Sequence, residues 1–127
     1  MQNNLNNRIH YLGWCGGSRL ESFYDALDVL AIPSIYEPFG MVALEAAARG
    51  IPIVCNPIGG LVEILLDNAF YSEGETYQTF RKAMREWLKA DTRVIHAKTW
   101  GEYKRFNDNF NDIKMTHKYM DLISQFA

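Results

Sequence analysis

Two short apolar runs separated by an alanine-rich stretch constrain this chain more than any other feature. Asp28-Val29-Leu30-Ala31-Ile32 stops at Pro33, and Ile51-Pro52-Ile53-Val54-Cys55 starts just after Gly50. Both runs are apolar at successive rather than alternate positions, as strands covered on both faces of a parallel sheet must be. Between them lies Val42-Ala43-Leu44-Glu45-Ala46-Ala47-Ala48, rich in strong helix formers, with Gly50 placed to end a helix over 40–49. Strand, helix and strand with such short connections imply a right-handed crossover in an α/β fold.

The remaining segments extend this alternation on both sides. Arg8-Ile9-His10-Tyr11-Leu12 reads as a strand ended by Gly13, preceded by a polar, Asn-rich and flexible 1–7. Ser18, with Glu21 three residues on, reads as the N-cap of a helix over 19–27 that carries Leu20, Phe23, Tyr24 and Leu27. After the loop Asn56-Pro57-Ile58-Gly59-Gly60 come a short helix over 61–66 and a last short strand at Ala69-Phe70-Tyr71. Helices over 75–89, 91–106 and 109–126 complete the chain, the last with Phe110, Ile113, Tyr119, Leu122, Ile123 and Phe126 to bury. Trp87 and Trp100 read as core, and Trp14 as a residue that buries its own loop. The whole of 1–127 is one partial, doubly wound, Rossmann-like parallel-sheet unit.

Composition narrows the functional classes. With 48% hydrophobic residues and a net charge of −2, the chain can build a core and carries no polybasic field that would draw it to nucleic acid or an anionic membrane. Cys15 and Cys55 are isolated and read as reduced, and the N-terminus lacks the pattern of a secretory leader, so the expected location is cytoplasmic. No apolar run approaches a membrane span. His10, His96 and His117 are scattered, and Asn107-Asp108-Asn109-Phe110-Asn111-Asp112 is better explained by helix capping than by a cation loop, so no metal or cofactor is expected.

In a doubly wound sheet, ligands gather at the carboxyl ends of the strands, where the loops 33–40 and 56–60 fall. Gly40 lets the backbone approach a ligand, and the amides of Gly40, Met41 and Val42 are the free donors of a helix start. Glu37 stands just outside that helix and Glu45 within it, and paired carboxylate oxygens suit the vicinal diols of sugars. A hydrolytic acid and base pair is a poorer reading, because no second element sets the two glutamates across a scissile bond.

Ile32-Pro33-Ser34, Tyr36-Glu37-Pro38-Phe39-Gly40, Val42-Ala43-Leu44-Glu45-Ala46, Gly50-Ile51-Pro52-Ile53-Val54 and Gly59-Gly60-Leu61 with Glu63 resemble the C-terminal, donor-binding domain of retaining GT-B glycosyltransferases, the group that includes glycogen synthases. The resemblance runs from about Tyr11 to Leu66. It implies a nucleotide diphosphate sugar of uridine or adenine as substrate and retaining glycosyl transfer without a divalent metal, as in enzymes that build polysaccharides. It assigns Glu37 to the catalytic site beside the donor sugar, Phe39, Gly40, Met41 and Val42 to sugar and diphosphate, and Glu45 to the ribose.

The chain departs from that pattern in one respect. The Arg and Lys pair that grips the diphosphate in the family lies ahead of the strand matching 8–12, and the acceptor-binding domain lies further ahead still. Arg19 is the nearby candidate to compensate, although a solvated helix-start arginine is the simpler reading. A truncated unit of this kind leaves strand edges bare, which predicts a homo-oligomer or a partner chain bearing the missing half. The alternative function is a non-catalytic oligomeric interaction module derived from such an enzyme.

Overall fold

Proline and glycine set the lengths of the elements. In the computed structural model, which describes residues 8–126, β1 (Leu30–Ile32) stops at Pro33, and β2 (Ile53–Cys55) starts only after Pro52. The expected flexibility of 1–7 concerns residues outside those described. Around the strands run α1 (Ser18–Asp25), α2 (Met41–Ala47), α3 (Gly59–Leu65), β3 (Phe70–Tyr71), α4 (Tyr77–Lys89), α5 (Thr92–Asn109) and α6 (Asp112–Ser124). The strands pair in parallel in the order β1-β2-β3, with Ile32 opposite Cys55 and Cys55 opposite Tyr71. The fold is the expected α/β one with a small parallel sheet.

β2 is the centre of this sheet. Ile53, Val54 and Cys55 are each fully buried. Successive side chains point to opposite faces, so burial of all three means that both faces of β2 are covered. Helix α4 packs on β2 and β3, while α2 packs on β2, α3 and α5. Leu44, Leu61, Ile64 and Leu65 join Ile53 in the core. Gly50 ends the α2 segment at φ 65°, with its amide bonded to the Ala47 carbonyl and that of Ile51 to the Ala46 carbonyl, as a C′ glycine requires.

The expected strand over 8–12 does not form. Ile9 and Tyr11 are 67% and 94% exposed, and among the described residues β1 pairs only with β2. A central parallel strand needs a neighbour to satisfy its amides and layers to cover its faces, and here neither is present. The first helix is capped one residue earlier than expected, at Gly17 and without a side-chain bond, so Ser18 lies inside α1.

The last helix departs most from expectation. It starts on a real cap, since Asn111 Oδ1 accepts from the Lys114 amide at 2.8 Å, in line with the capping role read for 107–112. Yet α6 buries no residue: Ile113, Tyr119, Leu122, Ile123 and Phe126 all remain exposed. Helix α6 touches the rest of the fold mainly through α5, so its apolar face lies on no layer. Trp14 and Trp100 are likewise exposed rather than buried, whereas Trp87 is half-buried.

Sequence reading passed over one core group, Glu102 of α5. It is 2% exposed, and neither carboxylate oxygen has a hydrogen-bond partner among the described residues. Burial raises its carboxyl to about 9, and the nearby Ile53 backbone and Lys98 ammonium only partly offset this. Cys55 is the expected inert filler, its thiol pushed up to about 12 by burial and then by Glu102.

Candidate functional site

The loops leaving β1 and β2 are joined chiefly through their backbones. The Gly60 amide donates to the Glu37 carbonyl at 3.1 Å. A Cβ on Gly60 would stand 2.1 Å from the Phe39 carbonyl oxygen, and one on Gly59 would stand 2.2 Å from that of Glu37. The glycine pair therefore serves a main-chain crossing that no side chain would permit. It also lets α3 begin at Gly59, two residues before the expected start.

A buried polar chain extends this joint to β3. Asn56, 1% exposed, donates through Nδ2 to the Ser34 carbonyl at 2.9 Å. The Ser72 hydroxyl lies 2.5 Å from Asn56 Oδ1 and 2.6 Å from the Gly74 carbonyl. The segments beyond all three strands are thus fixed to one another. Neither Asn56 nor Ser72 stood out in the sequence, because a polar residue after a strand looks like any loop residue until its burial is known.

Helix α2 starts at Gly40, whose φ of 94° and ψ of 43° explain why glycine is there. Of the three amides expected to face a ligand, that of Gly40 is engaged within the protein, donating to Glu37 Oε1 at 3.0 Å. Those of Met41 and Val42 have no acceptor within the helix, as first-turn amides do not. Glu37 thus turns its carboxylate back on its own loop. Phe39 and Met41 are more than half exposed, and Phe39 lines a 340 Å³ cavity with Leu44, Phe110 and Tyr119.

Glu45 is held from the other side. The Tyr24 hydroxyl donates to Glu45 Oε2 at 2.6 Å. Tyr24 is itself fixed, being 2% exposed, packed edge-on against Phe23 and carrying the Arg49 guanidinium 4.9 Å from its ring centre. Burial, and then the bond to Glu45, raise the Tyr24 phenol above its ordinary range, so it remains a proton donor. Tyr24, which the sequence placed only among the apolar-spaced residues of the 19–27 helix, is core and also the residue that positions Glu45. With Oε2 satisfied, Oε1 has no donor among the described residues and can accept from a ligand.

Glu45 opens onto a 500 Å³ cavity formed with the 10–15 loop, lined by Tyr11, Trp14, Phe23, Tyr24 and Val42. Glu37 is not among its lining residues. The structure therefore brings Glu45, Val42 and the aromatic loop together and keeps Glu37 at the α2 turn. Arg19 is neither free nor at a strand end: its guanidinium donates to the Leu12 carbonyl at 2.8 Å and pins that loop. Among the described residues no three His, Cys, Asp or Glu side chains cluster to hold a metal, and no helix is long and apolar enough to cross a membrane.

Known proteins resemble this chain in sequence and in fold. The sequence matches the glycosyl transferases group 1 family over residues 1–106. An uncharacterised glycosyltransferase of Methanocaldococcus jannaschii is 48% identical over 61 residues, which is 48% of this chain and 16% of that protein. A D-inositol 3-phosphate glycosyltransferase of Corynebacterium urealyticum is 40% identical over 78 residues, 60% of this chain and 18% of the relative. Sucrose-phosphate synthase from Thermosynechococcus elongatus superposes with a TM-score of 0.78 at 27% identity, over 96% of this chain and 32% of that one. The chain spans a third or less of the length of each of these proteins. The α/β fold with its small parallel sheet is thus a GT-B architecture, and the chain belongs to the glycosyl transferases group 1 family.

Proposed function

We propose that this chain is the donor-binding portion of a retaining glycosyltransferase and binds a nucleotide diphosphate sugar, with uracil or adenine as the base. Glu45, clamped by Tyr24 and facing the cavity, is the observation that carries this reading. Its available oxygen accepts from the hydroxyls of the ribose. The amides of Met41 and Val42 serve the diphosphate and sugar beside Phe39 and Gly40, and Glu37 accepts from the donor sugar, exchanging the Gly40 amide for a sugar hydroxyl. In the transfer, the bond from the anomeric carbon to the diphosphate oxygen breaks, the nucleoside diphosphate leaves, and an acceptor hydroxyl oxygen bonds to that carbon on the same face while its proton passes to the departing diphosphate. None of these steps is assigned to a metal.

Calorimetric titration tests the reading. The chain should bind a uridine or adenosine diphosphate sugar, and Glu45→Ala should weaken it by about tenfold or more, the cost of losing a hydrogen bond to a charged group. Binding no tighter than buffer controls, or unchanged in Glu45→Ala, would overturn it.

The exposed apolar face of α6 favours one addition. The relatives are about three or more times as long as the sequence described, and we propose that a further portion, on the same or a partner chain, covers Tyr119, Leu122 and Ile123. Self-association without nucleotide-sugar binding would favour the non-catalytic interaction module instead.

A further inference from the structure

A second cavity lies where α2 ends, away from the Gly40 turn at which α2 begins. Ala48, Arg49 and Gly50 line it on one side, and His96, Trp100 and Tyr103 of α5 line it on the other, around a volume of about 470 Å³. That volume falls in the range of small-molecule sites, roughly 300–1,000 Å³. His96, Trp100 and Tyr103 follow the i, i+4, i+7 spacing that puts side chains on one face of a helix.

Neither core packing nor helix formation accounts for this stripe. Trp100 is 63% and Tyr103 37% exposed, so both leave ring surface in water. His, Trp and Tyr are also poorer helix formers than the Ala, Lys or Glu that an exposed face can carry. The two rings hold each other, stacked with centres 5.6 Å apart and planes inclined by 29°. Such a stack orders the indole and leaves much of its surface open.

The wall opposite the rings is rich in hydrogen-bonding groups. Carbonyls at a helix end have no partner within the helix. Those of Ala48, Arg49 and Gly50 accept no backbone hydrogen bond among the described residues. Arg49 adds donors, with Nη1 bonded to the Glu45 carbonyl at 3.1 Å and Nη2 only 3.8 Å from Glu21 Oε1. A flat apolar wall facing such an edge is complementary to a pyranose, which has a C–H face and a rim of hydroxyls that both donate and accept. The open carbonyls favour neutral hydroxyl donors over an anion.

We propose that this cavity holds a neutral pyranose residue of an oligosaccharide, stacked on Trp100, with its hydroxyls donating to the carbonyls at the α2 end. The chain belongs to a glycosyl transferase family, so such an oligosaccharide is an acceptor or a product of transfer. Because α2 separates the cavity from the Gly40 turn, the sugar bound here is held and not transformed. The site stands on the meeting of α2 and α5 and is independent of the nucleotide-sugar reading above.

Calorimetry and ligand-observed NMR of the chain with maltohexaose and cellohexaose test the proposal. At least one hexaose should bind with a dissociation constant of about 1 mM or tighter. Trp100→Ala should weaken that binding by about tenfold, Tyr103→Ala should weaken it less, and Trp100→Phe should recover most of the loss. Melting of all three variants should match the parent, since both rings face solvent. Binding of neither hexaose, or binding by Trp100→Ala as tight as that of the parent, would overturn the proposal. So would a chain that binds no hexaose and self-associates through this face, with sedimentation showing the association lost in Trp100→Ala. Nucleotide-sugar titrations should read the same in Trp100→Ala and the parent, so failure of the glycan site leaves the donor reading standing.

Discussion

The Tyr24 hydroxyl and the Glu45 carboxylate, 2.6 Å apart, join the helix before β1 to the helix after it and fix the one acidic side chain that faces the cavity. Tyr24→Phe keeps the ring, its contact with Phe23 and its place under Arg49, and removes only this bond. It should lower stability by about 1 to 3 kcal/mol, a melting shift of several degrees, and should weaken nucleotide-sugar binding by freeing the Glu45 rotamer. Denaturant unfolding and calorimetric titration of the same variant measure the two effects separately.

Gly60→Ala should be among the most damaging of the small substitutions. Its Cβ would lie 2.1 Å from a backbone oxygen, which must move along with the Glu37–Phe39 segment. A loss of about 3 kcal/mol or more is expected, in the range of backbone strain and broken packing. Gly74→Ala is the control, because its Cβ would meet only Thr79 side-chain atoms at 3.7 Å and should change stability by less than about 1 kcal/mol. Urea titrations of the two variants should therefore diverge widely.

Glu102 makes stability depend on pH in a direction opposite to that of an ordinary surface carboxylate. Its carboxyl stays protonated to about 9 in the folded state, against 4.5 for the free group. Between these values the folded chain holds a proton that the unfolded chain has released. The stability linked to this group is complete below about 4.5 and is lost as pH rises towards 9. Glu102→Gln, neutral at every pH, should remove this slope, so unfolding midpoints of parent and variant should separate increasingly between pH 5 and pH 9, with the variant the more stable. Parallel curves would contradict the assignment.

The α6 face makes a prediction about mass. Lys substituted at both Leu122 and Ile123, each at least half exposed, should leave the melting of the α/β unit within about 1 kcal/mol. It should abolish any concentration-dependent association seen by sedimentation. Retained association in the double variant would assign the contact to another surface.

What the sequence made legible follows from where its information is local. The apolar runs at 28–32 and 51–55, with Gly50 between the helix and the second run, suffice to read a parallel pair, because burial on both faces and a glycine turn are written in consecutive residues. Segment 8–12 carries a similar apolar signal yet forms no strand. Strand formation there depends on a neighbour, which no local pattern supplies. The same reasoning covers α6, whose periodicity and Asn111 cap are local while the burial of its apolar stripe is not.

In the site, the Glu37 to Glu45 block could be read directly, but the supporting groups could not. Tyr24, Asn56 and Ser72 lie in three separate segments, and only the fold shows that their polar atoms meet. Gly59 and Gly60 read as the end of the 56–60 loop and prove to be a close main-chain crossing. Glu102 was one unremarked charged position in the helix read over 91–106, because nothing in its neighbours announces burial without a partner.

The crossing of Gly60 over the Glu37–Phe39 segment has a consequence for redesign. Because that rim is fastened by peptide groups, the identities of Tyr36, Phe39 and Met41, all largely in solvent, are decoupled from its shape. Exchanging them should retune which sugar is accepted on an unaltered trellis, whereas a change of one hydrogen to a methyl at Gly60 would bring the trellis down.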